Sequence, residues 1–374
     1  MRGNEIIYQI FVRNYSNDGT FKSVERDLER IKDLGVDIIY LMPIHEIGVL
    51  ERKGTFGSPY AIKDYFSITP DYGTKEDFIS LIKATHRLGM KLILDMVFNH
   101  TSPDNVLVDT HPDYYYYKNG RRGNRVGDWS DIVDLNTYKE EVQDYLVSVL
   151  KYWVSLGVDG FRFDVASMIP LEFFKKARKE LGEDIIFIGE SISIEFSDYL
   201  RSQGENATPD RDMFPTFDSL YNYSWFRRLE NYLKGWESID SLVDALNRNE
   251  EDIGQIGIRM NCLENHDNER INSVVKPEYL KNIVDFISYI KGQMFIYAGQ
   301  EYGNCHKPEL FEKDPVMWYI NEDVEEIYKE AINNKKQIKN TANLVQKFEK
   351  CGEHSIRVNN FIDDQLVDSR VFEF

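Results

Sequence analysis

The chain has 374 residues, which allows two or three domains or one closed α/β barrel with an appendage, and excludes a peptide or small module. Hydrophobic residues make up 42% and charged residues 29%, ordinary values for a chain that folds around a large core. The 63 Asp and Glu outnumber the 45 Lys and Arg and give a net charge of −18. We therefore expect neither nucleic acid nor a membrane surface as a partner, because phosphate binding needs a surplus of cations.

The cysteines and the first residues bear on the cellular compartment. Cys262, Cys305 and Cys351 lie far apart and are odd in number, which indicates neither a disulfide framework nor a zinc-binding pair. The opening MRGNEIIYQIFVRNYS has too short an apolar run for a signal peptide. No stretch of the chain approaches the roughly 18 apolar residues of a membrane span. These features predict a soluble cytoplasmic protein of unknown oligomeric state.

Eight strand-like segments alternate with helical patterns along the chain. A Leu-Gly pair recurs before four of them, at Leu34, Leu88, Leu156 and Leu181. The Gly suits the left-handed residue just past a helix C-terminus, and the apolar run behind it is typical of a buried parallel strand. The strands are predicted at residues 6–12, 37–42, 91–97, 158–164, 185–190, 213–217, 259–263 and 293–298.

This order of elements predicts an α/β fold, a parallel (β/α)₈ TIM barrel, with a doubly wound open sheet as the alternative. The third strand is followed by 101–135, a segment rich in Asp, Asn, Gly and Tyr, which predicts a functional loop or a small inserted domain. The last helix is predicted to end near Lys350. The predicted domains are therefore a barrel at 1–100 and 136–350, the insertion at 101–135, and a reduced C-terminal stub at 351–374.

Polar side chains follow several of the predicted strands, and the active sites of such barrels lie at the carboxyl ends of the strands. A single carboxylate there more often forms a structural ion pair than acts in catalysis. Several carboxylates, two histidines and one arginine at one mouth indicate a catalytic site instead. The strand ends supply DMVFNH with Asp95, Asn99 and His100; GFRFDVA with Arg162 and Asp164; FIGE with Glu190; and ENHD with Asn265, His266 and Asp267.

Local electrostatics predict roles for these carboxylates. Arg162 and Asp164 share one face of a strand, so the guanidinium should lower the pKa of Asp164 and keep it ionised as a nucleophile. Glu190 follows an apolar run, where burial should raise its pKa and keep it protonated as a general acid. Such a pair, with Asp267 to stabilise positive charge on the sugar, is what a retaining glycosidase needs. No GxSxG, HExxH or phosphate-binding glycine motif favours acyl transfer, zinc peptidase or phosphoryl transfer chemistry.

The strings DMVFNH, GFRFDVA, FIGE and ENHD, in this order, resemble the conserved segments of the alpha-amylase family of glycoside hydrolases over about residues 5–340. The resemblance implies a retaining mechanism that needs no cofactor, with Asp164 as nucleophile, Glu190 as acid/base and Asp267 as transition-state stabiliser. It also implies that the sugar is bound by His100, Arg162, His266 and Tyr60, the last in GSPYAIKDY, a segment similar to one in the family. The insertion at 101–135 resembles the family's domain B.

Departures from the family pattern bear on substrate and metal. Ser167 and Met168 stand where typical liquefying amylases carry Lys and His, which puts the family's contacts to the leaving group in doubt. Ala61 stands where chain-end-cleaving α-glucosidase relatives carry Asp. Asn99 and Asp134 match the family's calcium ligands, so they are candidate ligands of a structural calcium; the alternative is an Asn that supports a loop and an Asp that caps a helix.

The sequence thus predicts cleavage of internal α-1,4-glucosidic bonds of malto-oligosaccharides, starch or glycogen. The alternative is a 4-α-glucanotransferase, which uses the same residues and differs in what attacks the glycosyl-enzyme. A non-catalytic carbohydrate-binding barrel is disfavoured because the carboxylates are intact. Retention further predicts that the carboxyl groups of Asp164 and Glu190 lie about 5 to 5.5 Å apart.

Overall fold

The computed structural model describes residues 3–127, 129–338 and 343–374. Parts of the predicted domains at 1–2, 128 and 339–342 lie outside the described residues. The strands are β1 (Ile6–Ile10), β2 (Ile38–Leu41), β3 (His45–Ile47), β4 (Ile62–Ile68), β5 (Lys91–Met96), β6 (His100–Thr101), β7 (Tyr117–Lys118), β8 (Arg121–Arg122), β9 (Val133–Asp134), β10 (Gly160–Phe163), β11 (Ile186–Gly189), β12 (Ser219–Tyr221), β13 (Arg259–Cys262), β14 (Gln293–Tyr297), β15 (Leu344–Gly352), β16 (Ser355–Ile362) and β17 (Gln365–Glu373).

Helices follow most of the long strands and surround them. They are α1 (Val12–Tyr15), α2 (Phe21–Arg26), α3 (Leu28–Leu34), α4 (Lys75–Arg87), α5 (Leu107–Thr110), α6 (Glu140–Ser155), α7 (Leu171–Leu181), α8 (Ile194–Ser202), α9 (Asp210–Met213), α10 (Tyr223–Leu233), α11 (Ile239–Ile253), α12 (Ile271–Val274), α13 (Pro277–Tyr289) and α14 (Glu322–Gln337). None of the helices in the described ranges is long and apolar enough to cross a bilayer.

Eight parallel strands close into a barrel in the order β1, β14, β13, β12, β11, β10, β5, β2. The prediction of a (β/α)₈ barrel is confirmed, and the open sheet is wrong, because β1 pairs with both β2 and β14. The closed ring places the carboxyl ends of all eight strands at one mouth.

Side chains alternate between the two faces of each barrel strand, as the pleat requires. The outward residues pack against the helices, and the inward ones form a separate cluster that includes Ile7, Ile93 and Tyr40. Gln9 follows two residues after Ile7, and Asp95 two residues after Ile93, so both polar side chains enter the barrel interior near its mouth.

The sixth predicted strand is wrong in position. Residues 213–217 form the end of α9 and a turn, and the barrel strand is β12, a few residues later. The apolar residues Met213, Phe214 and Phe217 are spaced for a helical turn, and Phe217 packs edge-on against Phe174 with ring centroids 4.7 Å apart. An apolar run this short does not distinguish a strand from a helical turn.

The predicted insertion is anchored by a short antiparallel pairing of β6 with β9 and carries the hairpin of β7 and β8. The prediction that the last helix ends near Lys350 is wrong, because α14 ends at Gln337 and β15 begins at Leu344. Residues 344–352 alternate, with Leu344 and Phe348 buried and Lys347 exposed, which is a strand pattern.

The three strands β15, β16 and β17 form one antiparallel sheet at the C-terminal end. One face packs on the barrel helices: the Phe372 and Phe286 rings lie 5.4 Å apart, and Asn247 Nδ2 donates to the Phe348 carbonyl at 2.8 Å. The predicted boundary between 350 and 351 falls inside β15, so the sheet begins before it. The division into domains otherwise stays a prediction.

Candidate active site

Arg162 lies at the centre of the barrel mouth, with only 1% of its side chain exposed. Its Nη1 donates to Asp95 Oδ1 at 2.8 Å and to Asp164 Oδ1 at 3.0 Å. Its Nη2 forms an ion pair with Glu190 Oε1 at 2.9 Å. One buried guanidinium therefore contacts three carboxylates, and the local charge is negative whenever all three are ionised.

Asp164 and Glu190 each follow directly after a barrel strand, β10 and β11. The Asp164 N–H donates to the Met96 carbonyl, and the Glu190 N–H donates to the Phe163 carbonyl, each at 3.0 Å. Glu190 Oε2 also accepts the Val165 N–H at 2.7 Å. Val165 has φ 37° and ψ 46°, a left-handed conformation that costs a β-branched residue about 1–3 kcal/mol. The strained turn is what points this N–H at the Glu190 carboxyl.

Burial raises the pKa of Glu190 above its ordinary value, as predicted, although Arg162 opposes the shift. The prediction of a lowered pKa for Asp164 is wrong. Burial and the negative charge of Glu190 raise the pKa of Asp164 well above its usual range, with Arg162 acting against them. The guanidinium is shared with Asp95 and cannot neutralise all three carboxylates. The two carboxyl groups therefore titrate together, and the pair retains a proton above the usual pH range of a carboxyl group.

Tyr60, His266 and Asp95 form a connected chain beside this pair. The Tyr60 hydroxyl lies 2.9 Å from Asp95 Oδ2 and 2.7 Å from His266 Nε2, and the two rings are stacked with centroids 5.3 Å apart. Gln9 Nε2 lies 3.0 Å from His266 Nδ1. If Tyr60 donates to the carboxylate, it accepts from Nε2–H, and Nδ1 is then free to accept from the Gln9 amide. Tyr40 also donates to Asp95 Oδ2, at 2.6 Å.

Both predicted sugar-binding histidines are buried. Burial lowers the pKa of His266, partly offset by Asp267. Burial also lowers the pKa of His100, partly offset by Asp134. Since both values fall below the ordinary one of about 6.5, both rings are neutral at pH 7 and present one donor and one acceptor each.

Asp267 lies on the loop after β13 and is 53% exposed, the most open of the three predicted catalytic carboxylates. Its Oδ2 lies 3.3 Å from His266 Nε2. Asn265 Oδ1 accepts the N–H groups of Asp267 at 2.9 Å and Asn268 at 3.2 Å, which fixes the turn that carries the carboxylate.

A fully buried ion pair closes this loop. Arg270 Nη1 lies 2.6 Å from Glu264 Oε1, and Glu264 Oε2 accepts the Ile271 N–H at 2.6 Å. Arg270 Nη2 also donates to the Ala298 carbonyl at 2.9 Å, just after β14. The pair therefore ties the two ends of the loop to each other and to the neighbouring strand.

The structure thus brings most of the predicted site residues into one contact network, which comprises Tyr60, Arg162, Asp164, Glu190, His266 and Asp267. His100 lies at the base of the insertion, with its Nδ1 3.3 Å from Asn99 Nδ2. Sequence reasoning missed Gln9, whose signal was a polar residue at an inward position of β1. It also gave no role to the Glu264 and Arg270 pair, for which the sequence carries no signal.

The predicted calcium ligands do not fit a calcium ion. Asp134 Oδ2 accepts the Arg125 N–H at 2.8 Å, and Arg125 Nη1 lies 3.8 Å away. Asn124 Nδ2 faces Asp134 Oδ1 at 3.4 Å, and the Asn99 carbonyl accepts the Leu135 N–H at 3.0 Å. Calcium takes six to eight oxygen ligands, whereas this carboxylate is surrounded by N–H donors and a cation. No cluster of three metal-binding side chains occurs among residues 3–127, 129–338 and 343–374.

A parallel barrel with paired carboxyl groups on one buried arginine at its mouth is the architecture of a barrel glycosidase. The sequence profile of the alpha amylase catalytic domain matches residues 9–129 and 126–357. The chain belongs to the alpha-amylase family and is an alpha-amylase-like glycoside hydrolase.

Solved structures and curated relatives agree with this assignment. An alpha-amylase from Lactobacillus plantarum is 34% identical, with a TM-score of 0.87 and coverage of 99% of both chains. A noncanonic maltogenic alpha-amylase from Thermotoga neapolitana is 32% identical with a TM-score of 0.87, covering 99% of this chain and 86% of the other. Alpha-amylase 3 of Dictyoglomus thermophilum is 27% identical over 362 residues, which cover 84% of this chain and 67% of the relative.

Proposed function

We propose that the protein hydrolyses internal α-1,4-glucosidic bonds of malto-oligosaccharides, starch or glycogen with retention of configuration. One observation carries the proposal: Arg162 contacts Asp164 at 3.0 Å and Glu190 at 2.9 Å, so a nucleophile and an acid lie side by side at the mouth. Both carboxyls are buried, and the pKa of each is raised, so together they hold the proton that the first step consumes.

The chemistry follows from this geometry in two displacements. Glu190 donates its proton to the oxygen of the leaving sugar while Asp164 bonds to the anomeric carbon and the glycosidic bond breaks. Glu190, now ionised, removes a proton from water, whose oxygen bonds to the same carbon and expels Asp164. The exposed carboxylate of Asp267 supplies negative charge beside the positive charge that the sugar ring develops.

The proposal also specifies which glucosidic linkage is cleaved and whether that bond is internal or at the end of the glucan. Ala61, the buried residue that follows Tyr60 in the chain, offers no carboxylate to hold the end of a glucan, which supports internal cleavage. Among more distant relatives, a probable oligo-1,6-glucosidase of Bacillus subtilis is 26% identical, so α-1,6 cleavage is the alternative to test. Transfer to a sugar instead of water remains the second alternative, because it uses the same glycosyl-enzyme.

Product analysis on maltoheptaose tests the proposal, with isomaltoheptaose as the matched α-1,6 substrate and the Glu190→Gln variant as the control. The wild type should release several internal products from maltoheptaose, little from isomaltoheptaose, and no chains longer than the substrate. Longer chains would indicate a transferase, and preferential cleavage of isomaltoheptaose would contradict the linkage. Equal products from the wild type and Glu190→Gln would contradict the enzyme itself.

A further inference from the structure

Two long loops lie beside each other at the barrel mouth. The first mouth loop, residues 48–61, joins β3 to β4 and carries Tyr60 near its end. The second mouth loop, residues 303–321, lies between β14 and α14. Neither contains a helix or a strand. The Phe56 N–H donates to the Phe311 carbonyl at 3.0 Å, so the two loops bind each other, and their positions depend on such contacts.

Arg13, in the short helix α1 after β1, lies where the two mouth loops meet, and it is only 4% exposed. Its Nη1 donates to the Gly57 carbonyl of the first loop and to the Leu310 carbonyl of the second, each at 3.0 Å. Its Nη2 donates to the Phe56 carbonyl at 3.4 Å. The rings of Phe11 and Phe56 flank the guanidinium, with centroids 5.2 and 5.4 Å away. One side chain therefore joins both loops to the end of the first barrel strand.

The shape of the guanidinium suits it to this position. The planar group carries five N–H donors in fixed directions, so it can bind carbonyls from different loops at the same time. A lysine ammonium has all its donors on one nitrogen and cannot span the two loops with the same geometry. Burial lowers the pKa of Arg13, and Tyr72 and Asp71 partly offset the shift. The side chain nevertheless stays charged, because arginine is not deprotonated in proteins.

The contact to Gly57 bears on Tyr60, three residues later. Gly57 has φ 76°, a left-handed conformation that glycine adopts without strain. The Tyr60 N–H donates to Ser58 Oγ at 3.1 Å, and the Ala61 N–H donates to the Ser58 carbonyl at 3.1 Å. Residues 57–61 therefore form one tight turn, and Arg13 holds its first residue.

Both mouth loops contact the active site. In the first, the Tyr60 hydroxyl lies 2.9 Å from Asp95 Oδ2 and 2.7 Å from His266 Nε2. In the second, Lys307 Nζ donates to the Asp267 carbonyl at 2.6 Å. A shift of the first loop would lengthen both contacts of the Tyr60 hydroxyl, and a displacement of about 1 Å at a catalytic site can cost about a hundredfold in rate.

We propose that Arg13 is a positioning residue, which joins the two mouth loops and thereby holds Tyr60 against Asp95 and His266. Its contacts are to the loops and not to the catalytic carboxyl groups, so it acts on the reaction through Tyr60. The inference rests on the proposed function and adds to it a residue that sets the geometry of the site from behind the loops.

A double-mutant cycle tests the proposal, with Arg13→Met, Tyr60→Ala and the double variant assayed by fluoride release from α-maltosyl fluoride. In the background with Tyr60 present, Arg13→Met should lower kcat/KM about thirtyfold. In the Tyr60→Ala background the same change should lower it less than about threefold, because the residue through which Arg13 acts is gone. Arg52→Met is the matched control, since Arg52 Nε binds the Gly48 carbonyl at 2.8 Å within the first loop. It should change kcat/KM less than about twofold.

An equal fall in both backgrounds, or an equal fall in Arg52→Met, would overturn the positioning role. So would a lower Tm in Arg13→Met with unchanged kcat/KM, since Arg13 would then only stabilise the fold. If Arg13→Met does not fold, Arg13→Lys is measured instead: it should keep a Tm near that of the wild type and lower kcat/KM about tenfold, again only where Tyr60 is present.

Failure of the proposed function gives a different result. If the wild type prefers α-1,6 bonds, the cycle is measured with α-isomaltosyl fluoride, so a wrong linkage contradicts the proposed function and leaves the test of Arg13 intact. A wild type inactive on every glucan and on both fluorides would overturn the two proposals together.

Discussion

Two buried arginines stand near the carboxyl ends of the barrel strands, and they differ in how much negative charge each one faces. Arg270 pairs with a single carboxylate, Glu264, and both side chains are fully buried. Arg162 faces three, Asp95, Asp164 and Glu190. In the first cluster one positive charge meets one negative charge, and the pair fixes a loop. In the second cluster three carboxyl groups share one arginine, which cannot neutralise all of them.

The imbalance is what makes the second cluster reactive. Removing charges from water costs several kcal/mol per ion, and a buried cluster recovers that cost only when every charge is matched. Burial raises the pKa values of Asp164 and Glu190, the charge of Glu190 raises that of Asp164 further, and the shared Arg162 offsets these shifts only in part. A fold that keeps this mismatch gains a carboxyl group that holds its proton to higher pH, at some cost in stability.

Removing the nucleophile should have the largest effect on the reactive cluster. Asp164→Ala takes away the group that bonds to the sugar, so kcat/KM should fall by at least about ten thousandfold. With α-maltosyl fluoride as donor, azide should restore turnover and give a β-glycosyl azide, because azide then attacks once from the vacated face. Glu190→Gln is the matched control, since its intact Asp164 reacts first and azide then yields the α-product. An α-azide from Asp164→Ala, identified by NMR, would contradict the assignment.

Breaking the balanced cluster should cost stability. Arg270→Met leaves Glu264 buried without its partner and should lower the free energy of unfolding by about 3–5 kcal/mol, measured by urea denaturation. The double variant Arg270→Met with Glu264→Leu should recover most of that loss, because no unpaired charge remains. A double variant no more stable than the single one would show that the pairing of charges is not what matters here.

A third arginine extends the comparison to the insertion. Arg125 lies beside Asp134, with Nη1 3.8 Å from Asp134 Oδ2, and donates from Nη2 to the Leu135 carbonyl at 2.8 Å. Arg125→Met should lower the free energy of unfolding by about 2 kcal/mol. Addition of EDTA should leave the Tm of the wild type unchanged. A Tm that falls with EDTA and returns with calcium would contradict the conclusion drawn from the ligand set.

The smallest effect is expected for stability at the reactive cluster. The folded-state pKa of Glu190 is raised, so deprotonation penalises the folded protein once pH exceeds the unfolded value of about 4.3. Glu190→Gln removes that penalty and should raise the free energy of unfolding by about 1 kcal/mol at pH 7. The gain should vanish below about pH 4. A variant less stable than the wild type at pH 7 would indicate that the cluster is balanced after all.

The barrel and the strand-end residues could be predicted because each depends on contiguous sequence. The Leu-Gly pairs mark where helices end, and the polar residues of the site come directly after the apolar runs of the strands. The sixth strand could not be placed, since Met213, Phe214 and Phe217 satisfy a helical turn and a short strand equally well.

The electrostatics of the site depended on neighbours that the sequence separates widely. Strand pairing sets Arg162 opposite Asp95, 67 residues away. Burial in the closed barrel and the charge of Glu190, followed by that of Asp95, are why the expected fall in the pKa of Asp164 does not occur. Gln9 meets His266 across 257 residues, a contact that only the closed barrel creates. A prediction from two residues on one strand leaves out the carboxylates that neighbouring strands bring close to them.

The stereochemistry of the first product tests the central claim most directly. Proton NMR of a malto-oligosaccharide digest, recorded before mutarotation, reports which anomer the enzyme releases. If Asp164 forms a covalent intermediate that water then resolves, two displacements at one carbon give the α-anomer first. Appearance of the β-anomer first would contradict Asp164 as nucleophile and the retaining mechanism with it.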